Sequence, residues 1–142
     1  MSMGPGSFTT MKISFRSVAI LSALIFLALA LTWMLAPGVL LSSWDVDLSS
    51  QAGLVGRRGA ALYAGIGVMF LHARNAAPSP ARSALLRGAV VACLLLAVVG
   101  ISELVNGHAG PGILVAVAIE IVLAMAFLHV AITRQSTRQS SH

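Results

Sequence analysis

Four long apolar runs fill most of this 142-residue chain, and its charged residues stand almost entirely at their ends. A bilayer-spanning helix needs about 20 predominantly apolar residues, so four such runs leave little chain for a soluble module. Charged residues make up 9% of the sequence and apolar ones 58%, whereas soluble domains carry about 25% charged residues. A water-soluble fold of this size could not hide so much apolar surface. The chain therefore reads as an all-α integral membrane protein, a four-helix up-down-up-down bundle with short connections.

The boundaries follow from where the runs break. Residues 1–16 read as a disordered leader, residues 17–132 as the four-helix transmembrane domain, and residues 133–142 as a disordered polar tail. The spans are expected at about 18–36, 52–71, 83–105 and 112–132. Ala28-Leu29-Ala30 resembles a signal-peptidase site, but the run continues through Leu35, longer than a signal-peptide core, so span one is expected to be retained. Residues 39–50 are expected as an interfacial loop. Trp33 and Trp44 suit the headgroup level there, and Ser49 or Ser50 can cap the helix that follows. Pro78-Ser79-Pro80 marks the next connection. Asn106-Gly107 and Pro111 mark the last, with Pro111 suited to a first helical turn. Span two carries Gly53, Gly56, Gly59, Ala60, Ala61, Ala64, Gly65 and Gly67, a composition that lets helices approach closely in lipid.

Charge sets the orientation. With the N-terminus inside, Lys12, Arg16, Arg74, Arg82, Arg87, Arg134 and Arg138 are cytoplasmic, while Asp45, Asp47, Glu103 and Glu120 lie outside or in the outer half. This positive-inside asymmetry predicts a bacterial inner-membrane protein with both termini cytoplasmic. It also accounts for the net charge of +5. The basic residues form no stripe and have no aromatic interleaving, so no nucleic-acid partner is expected.

Three ionisable residues break the apolar pattern: Arg57, Arg58 and Glu120. Counted along their helices they fall at similar depth, about 8–12 Å from the outer ends. A charge in the apolar zone costs about 2.5–3.5 kcal/mol on insertion scales, so an Arg–Glu pair is expected. Consecutive helical residues diverge by about 100°, so one arginine can pair with Glu120 while the other reaches Glu103, Asp45, Asp47 or lipid phosphate; Arg58 is assigned to the pocket and Arg57 to the seam, the reverse being the alternative. The candidate site is an outer-leaflet polar pocket of Arg57, Arg58, Glu120, Glu103 and Tyr63, with His108 nearby. It would bind an anionic or amphipathic ligand through arginine, the plainer alternative being a structural ion pair that fixes the bundle.

Other chemistry is thinly supported. Cys93 is the single cysteine, which excludes an intrachain disulfide and any Cys-x-x-Cys motif; a small buried hydrophobe is the expected role. His72 and His129 fall near the cytoplasmic ends of two spans and could ligate a haem, but two interfacial histidines explain them as well. His108 beside Glu103 is a poor metal site. No catalytic residue, metal or cofactor is called for.

The residues also carry a resemblance. Arg57-Arg58-Gly59-Ala60-Ala61-Leu62-Tyr63-Ala64-Gly65 opens span two. Ala81-Arg82-Ser83-Ala84-Leu85 follows a short Pro-containing loop, and the stretch from Glu103 to Gly112 leads into a span carrying Glu120. Over roughly residues 18–132 the chain resembles the small bacterial four-helix membrane proteins grouped as domain of unknown function 4345, within the DoxX-like set. The resemblance implies a four-helix membrane fold. Because some DoxX-like proteins are linked to redox or quinone-associated complexes, it also implies an accessory redox role.

Three functions are compatible with these features. The favoured one is a non-enzymatic accessory or lipid- or small-ligand-binding subunit, with membrane lipid, a second copy or another membrane protein as partner. The others are a quinone- or lipid-linked oxidoreductase component and a small proton-coupled transporter using Glu120.

Overall fold

A computed structural model describes the backbone of residues 14–139 and the side chains of residues 14–132. The described chain is all-helical: α1 (Phe15–Leu35), α2 (Pro37–Ser43), α3 (Ser50–Ala73), α4 (Pro80–Val105) and α5 (Ile113–Gln139). Among the described residues four helices, α1, α3, α4 and the 113–132 part of α5, are long and apolar enough to cross a bilayer. The protein is a multi-pass membrane protein built as a helical bundle.

Helix starts are set locally. The hydroxyls of Ser14, Ser49 and Ser79 accept hydrogen bonds from the backbone N–H groups of Ser17, Ala52 and Arg82, at 3.2, 3.0 and 3.2 Å. Each satisfies one of the donors a helix leaves open at its N-terminus. Pro37 and Pro80 begin α2 and α4, where a missing N–H costs nothing.

Several boundaries differ from expectation. α4 starts at Pro80 rather than near 83, and Pro111 lies in the turn before α5, which starts at Ile113. The 39–50 segment is not all loop, because Pro37–Ser43 forms a short helix. Pro37 ends α1 but also starts a new helix, since its fixed backbone angle suits a first turn as well as a stop. At the other end the backbone of α5 stays helical to Gln139, past the expected boundary at Ile132. The leader lies outside the described residues except for its last three, Ser14 to Arg16, which cap and open α1.

The long helices associate as two antiparallel hairpins, α1 with α3 and α4 with α5. Small residues permit the first. Ala60 is fully buried, Gly56 receives the Trp33 ring, and Gly67 lies against Leu27 and the Ala23 carbonyl. In lipid such close backbone approach supplies the packing that holds helices together. Gly100 serves the second hairpin, where a side chain would collide with Val117, 2.7 Å from its Cβ position.

Aromatic rings stack within the first hairpin and across to the second. Tyr63 and Phe70 of α3 both stack on Phe26 of α1, each at 6.1 Å between centroids, and Phe70 stacks on Phe127 of α5 at 5.1 Å. Toward the termini the contact is tight: Phe15, Val18, Phe70, Leu86, Phe127 and Val130 share one buried cluster. Arg82, only 6% exposed, closes this end. Its guanidinium lies 3.4 Å over the Phe15 ring and its Nη1 donates to the Ala76 carbonyl at 3.0 Å. At the opposite end, the α2 end, the Gly110 N–H donates to the Trp44 carbonyl at 2.6 Å. A side chain at Gly112 would run into the Ser43 carbonyl. The α4–α5 turn is thereby latched onto the end of α2.

Candidate functional site

Between the aromatic contacts and the α2 latch the hairpins separate, leaving a cavity of about 350 Å³. Its walls are drawn from every element. α1 contributes Phe26, Leu29 and Trp33; α2 and the residue after it contribute Leu40, Ser43 and Trp44. α4 contributes Cys93 and Leu96, and α5 contributes Val115, Ile119, Glu120 and Leu123 among others. α3 contributes Tyr63 alone. Trp33 and Trp44 pack on each other at 5.7 Å, tilted by 58°, beneath the α2 roof.

The cavity is apolar apart from a few groups, and one of them is unsatisfied. Glu120 Oε2 is buried and has no hydrogen-bond partner among the described residues. A buried acceptor left unpaired costs about 1–3 kcal/mol, and more if charged. Tyr63 offers a phenolic hydroxyl, able to donate or accept, on the wall contributed by α3. Cys93 is buried with a free thiol, in keeping with the small-hydrophobe reading, although it also faces the cavity. An apolar concavity with a small number of placed polar groups is the usual form of a small-molecule site, and such sites commonly measure about 300–1,000 Å³.

The expected polar cluster is therefore only partly assembled. Glu120 and Tyr63 share the cavity. Arg57 and Arg58 do not reach it; both are exposed, and the Arg–Glu pair is not formed. The depth estimate could not settle this, because the direction around the helix decides it. The face of α3 turned to α1 is the one holding Gly56, Ala60 and Gly67. At about 100° per residue, Arg57 lies roughly 60° from Ala60 and Arg58 roughly 160° from it. The assignment of Arg57 to the packed seam and Arg58 to the pocket is corrected accordingly: one flanks the seam and the other points away from it.

Glu103 is also absent from the cavity. Its Oε2 lies 2.9 Å from His108 Nδ1 at the start of the α4–α5 turn, with the side chains 44% and 67% exposed. A pair that open contributes about 0–1 kcal/mol. His72 and His129 are exposed on separate helices. Among the described residues no three His, Cys, Asp or Glu side chains gather as a metal site.

Sequence reasoning missed the greater part of the cavity. Trp33 and Trp44, which the sequence places at the headgroup level, also line its α2 end. The apolar lining residues carry no signal that separates them from ordinary core positions. Arg82, counted only as a cytoplasmic charge, is a buried structural residue.

No protein-family model, curated protein or solved structure matches this chain.

Proposed function

We propose that this protein is a binding or accessory protein of the bacterial inner membrane rather than an enzyme, with both termini cytoplasmic and the α2 end outside. In this reading the cavity between its hairpins holds a small lipophilic molecule, and Glu120 accepts a hydrogen bond from the ligand's polar head. The observation that carries the proposal is the buried, unpartnered Glu120 Oε2 on the wall of an otherwise apolar cavity. A ligand whose apolar body fills the cavity and whose head donates a hydrogen bond, such as a lipophilic amine or alcohol, would satisfy it. The Arg/Glu pocket first expected from the sequence is reduced here to its Glu120 and Tyr63 part.

The protein carries its own reporter. Its two tryptophans, Trp33 and Trp44, both line the cavity, so occupancy should alter intrinsic fluorescence. Titration of the detergent-solubilised protein with octylamine is expected to give a saturable change in emission, and Glu120→Leu should abolish the saturable part. An identical titration curve for the variant, or no saturable change in the parent, would refute the reading. Native mass spectrometry without delipidation would show whether a molecule of discrete mass is retained, and whether Glu120→Leu loses it.

Tyr63 supports a second reading, a quinone-linked role. A quinone presents carbonyl acceptors, and Tyr63 is a wall residue with a hydroxyl to donate. Saturable quenching by decylubiquinone that depends on Tyr63 and not on Glu120 would favour that role over the first. Proton-coupled transport through Glu120 rests on the same carboxylate, and would show as substrate-dependent proton movement in proteoliposomes that Glu120→Gln abolishes.

A further inference from the structure

We propose that Arg57 and Arg58 bind the headgroups of anionic phospholipids on the bilayer-facing surface of α3, separate from the cavity. Both side chains are exposed, and neither has a hydrogen bond or ion pair with any described residue. Their neighbours are apolar and equally open: Leu54 is 60% exposed, Val55 68% and Leu62 71%. The surface is thus apolar helix broken by two adjacent guanidinium groups.

Depth makes this arrangement demanding. The arginines lie about 11–12 Å along α3 from its start at Ser50, inside a helix of spanning length. An arginine near the centre of a span costs about 2.5–3.5 kcal/mol even on the lenient insertion scale. No acid of the chain pairs with them: Glu120 faces the cavity, Glu103 is engaged by His108, and Asp45 and Asp47, exposed in the α2–α3 connection, make no ion pair with either arginine. Compensation must come from outside the chain. Long arginine side chains can snorkel along apolar surface toward the headgroup layer, where phosphate oxygens accept the two parallel N–H donors of a guanidinium.

The directions of the two residues favour lipid over a protein partner. Arg57 and Arg58 diverge by about 100° around α3. A single packed helix from another protein would meet one of them and leave the other uncompensated. A headgroup layer surrounds the helix and can meet both. Two positive charges select a lipid of net negative charge over a zwitterionic one. Leu62 and the open surface at Gly65, which has nothing within 4 Å of its Cβ position, provide contact for an acyl chain below the arginines.

The test is native mass spectrometry of the full chain in mild detergent, titrated in parallel with phosphatidylglycerol and phosphatidylcholine of matched acyl chains. The parent is expected to retain phosphatidylglycerol preferentially. Arg57→Gln and Arg58→Gln should each lower that preference roughly fivefold, taking about 1 kcal/mol per basic residue near the headgroups, and the double variant should remove it. The double Lys variant, Arg57→Lys with Arg58→Lys, keeps both charges and should retain most of the preference, which guards against loss through misfolding. Equal binding of the two lipids by the parent, or an unchanged preference in the double Gln variant, would overturn the proposal. So would loss of a dimer or of a co-purifying protein in the Gln variants without change in lipid binding, which would assign the arginines to a protein interface.

Discussion

The rings of Phe70 and Phe127 stack at 5.1 Å with 13° between their planes, joining α3 of one hairpin to α5 of the other. Phe70 also stacks on Phe26, so one side chain links three helices. Of these three rings Phe26 is a wall residue of the cavity, so the stack adjoins the cavity through it. The cavity's roof depends on the Trp44–Gly110 hydrogen bond and on the absence of a side chain at Gly112.

Phe127 is fully buried, and truncation there should separate the hairpins. Phe127→Ala is expected to lower stability by on the order of 3 kcal/mol, as buried Phe→Ala changes commonly do, with Phe127→Leu recovering part of the loss. Chemical unfolding in mixed micelles followed by tryptophan emission would measure it. A cost below about 1 kcal/mol would mean that the rings do not hold the hairpins together.

Gly112 and Gly59 make a matched pair. A methyl group at 112 meets backbone, the Ser43 carbonyl, while at 59 it meets nothing within 4 Å. Gly112→Ala should therefore lower the melting temperature in detergent and expose Trp44 to an aqueous quencher, at a cost of about 1–3 kcal/mol. Gly59→Ala should be neutral or stabilising by up to about 1 kcal/mol, from helix propensity alone. Equal behaviour of the two variants would contradict the latch.

Glu120→Leu removes a buried acceptor that has no partner. In the absence of ligand its stability should equal or exceed the parent's by up to about 1 kcal/mol, since no protein hydrogen bond is lost. An Arg–Glu pair would give the opposite sign, because the stranded arginine would cost about 3–5 kcal/mol if buried. Thermal unfolding of the delipidated protein separates the two.

Arg82 stacks on Phe15 and donates to the Ala76 carbonyl, tying the 74–79 connection to α1. Lysine keeps the charge but lacks the planar guanidinium that stacks on a ring. Arg82→Lys is expected to cost about 1–2 kcal/mol, in the range of a partly desolvated cation–π contact, and to accelerate proteolysis at residues 74–79. Limited digestion of the two proteins side by side would show the difference; unchanged cleavage would remove Arg82 from the structural role.

Membrane architecture was legible in the residues because hydrophobic length is additive along the chain: each run of about 20 apolar residues suffices for a span regardless of its neighbours. Ser49 marked a helix start for the same local reason, since a cap acts within one turn, whereas Ser79 and Pro80, read from the sequence as part of a connection, cap and open α4. The small face of span two was visible as composition. Which of its residues would meet another helix was not, and the error over Arg57 and Arg58 began there.

Axial position could be counted from residue numbers, and that count places Glu120 and the two arginines at comparable depth. Azimuth could not be counted in the same way, because the rotation of α3 is set by contacts with Trp33, Leu27 and Ala23 of α1. Those contacts turned both arginines away from the cavity and left Tyr63 as its only α3 wall residue. Spans, caps and the cost of intramembrane charge are properties of local sequence in a known solvent. The cavity, the isolation of Glu120 and the outward guanidinium pair exist only once the helices have packed, because helix rotation is decided by the pairing of surfaces far apart in the chain.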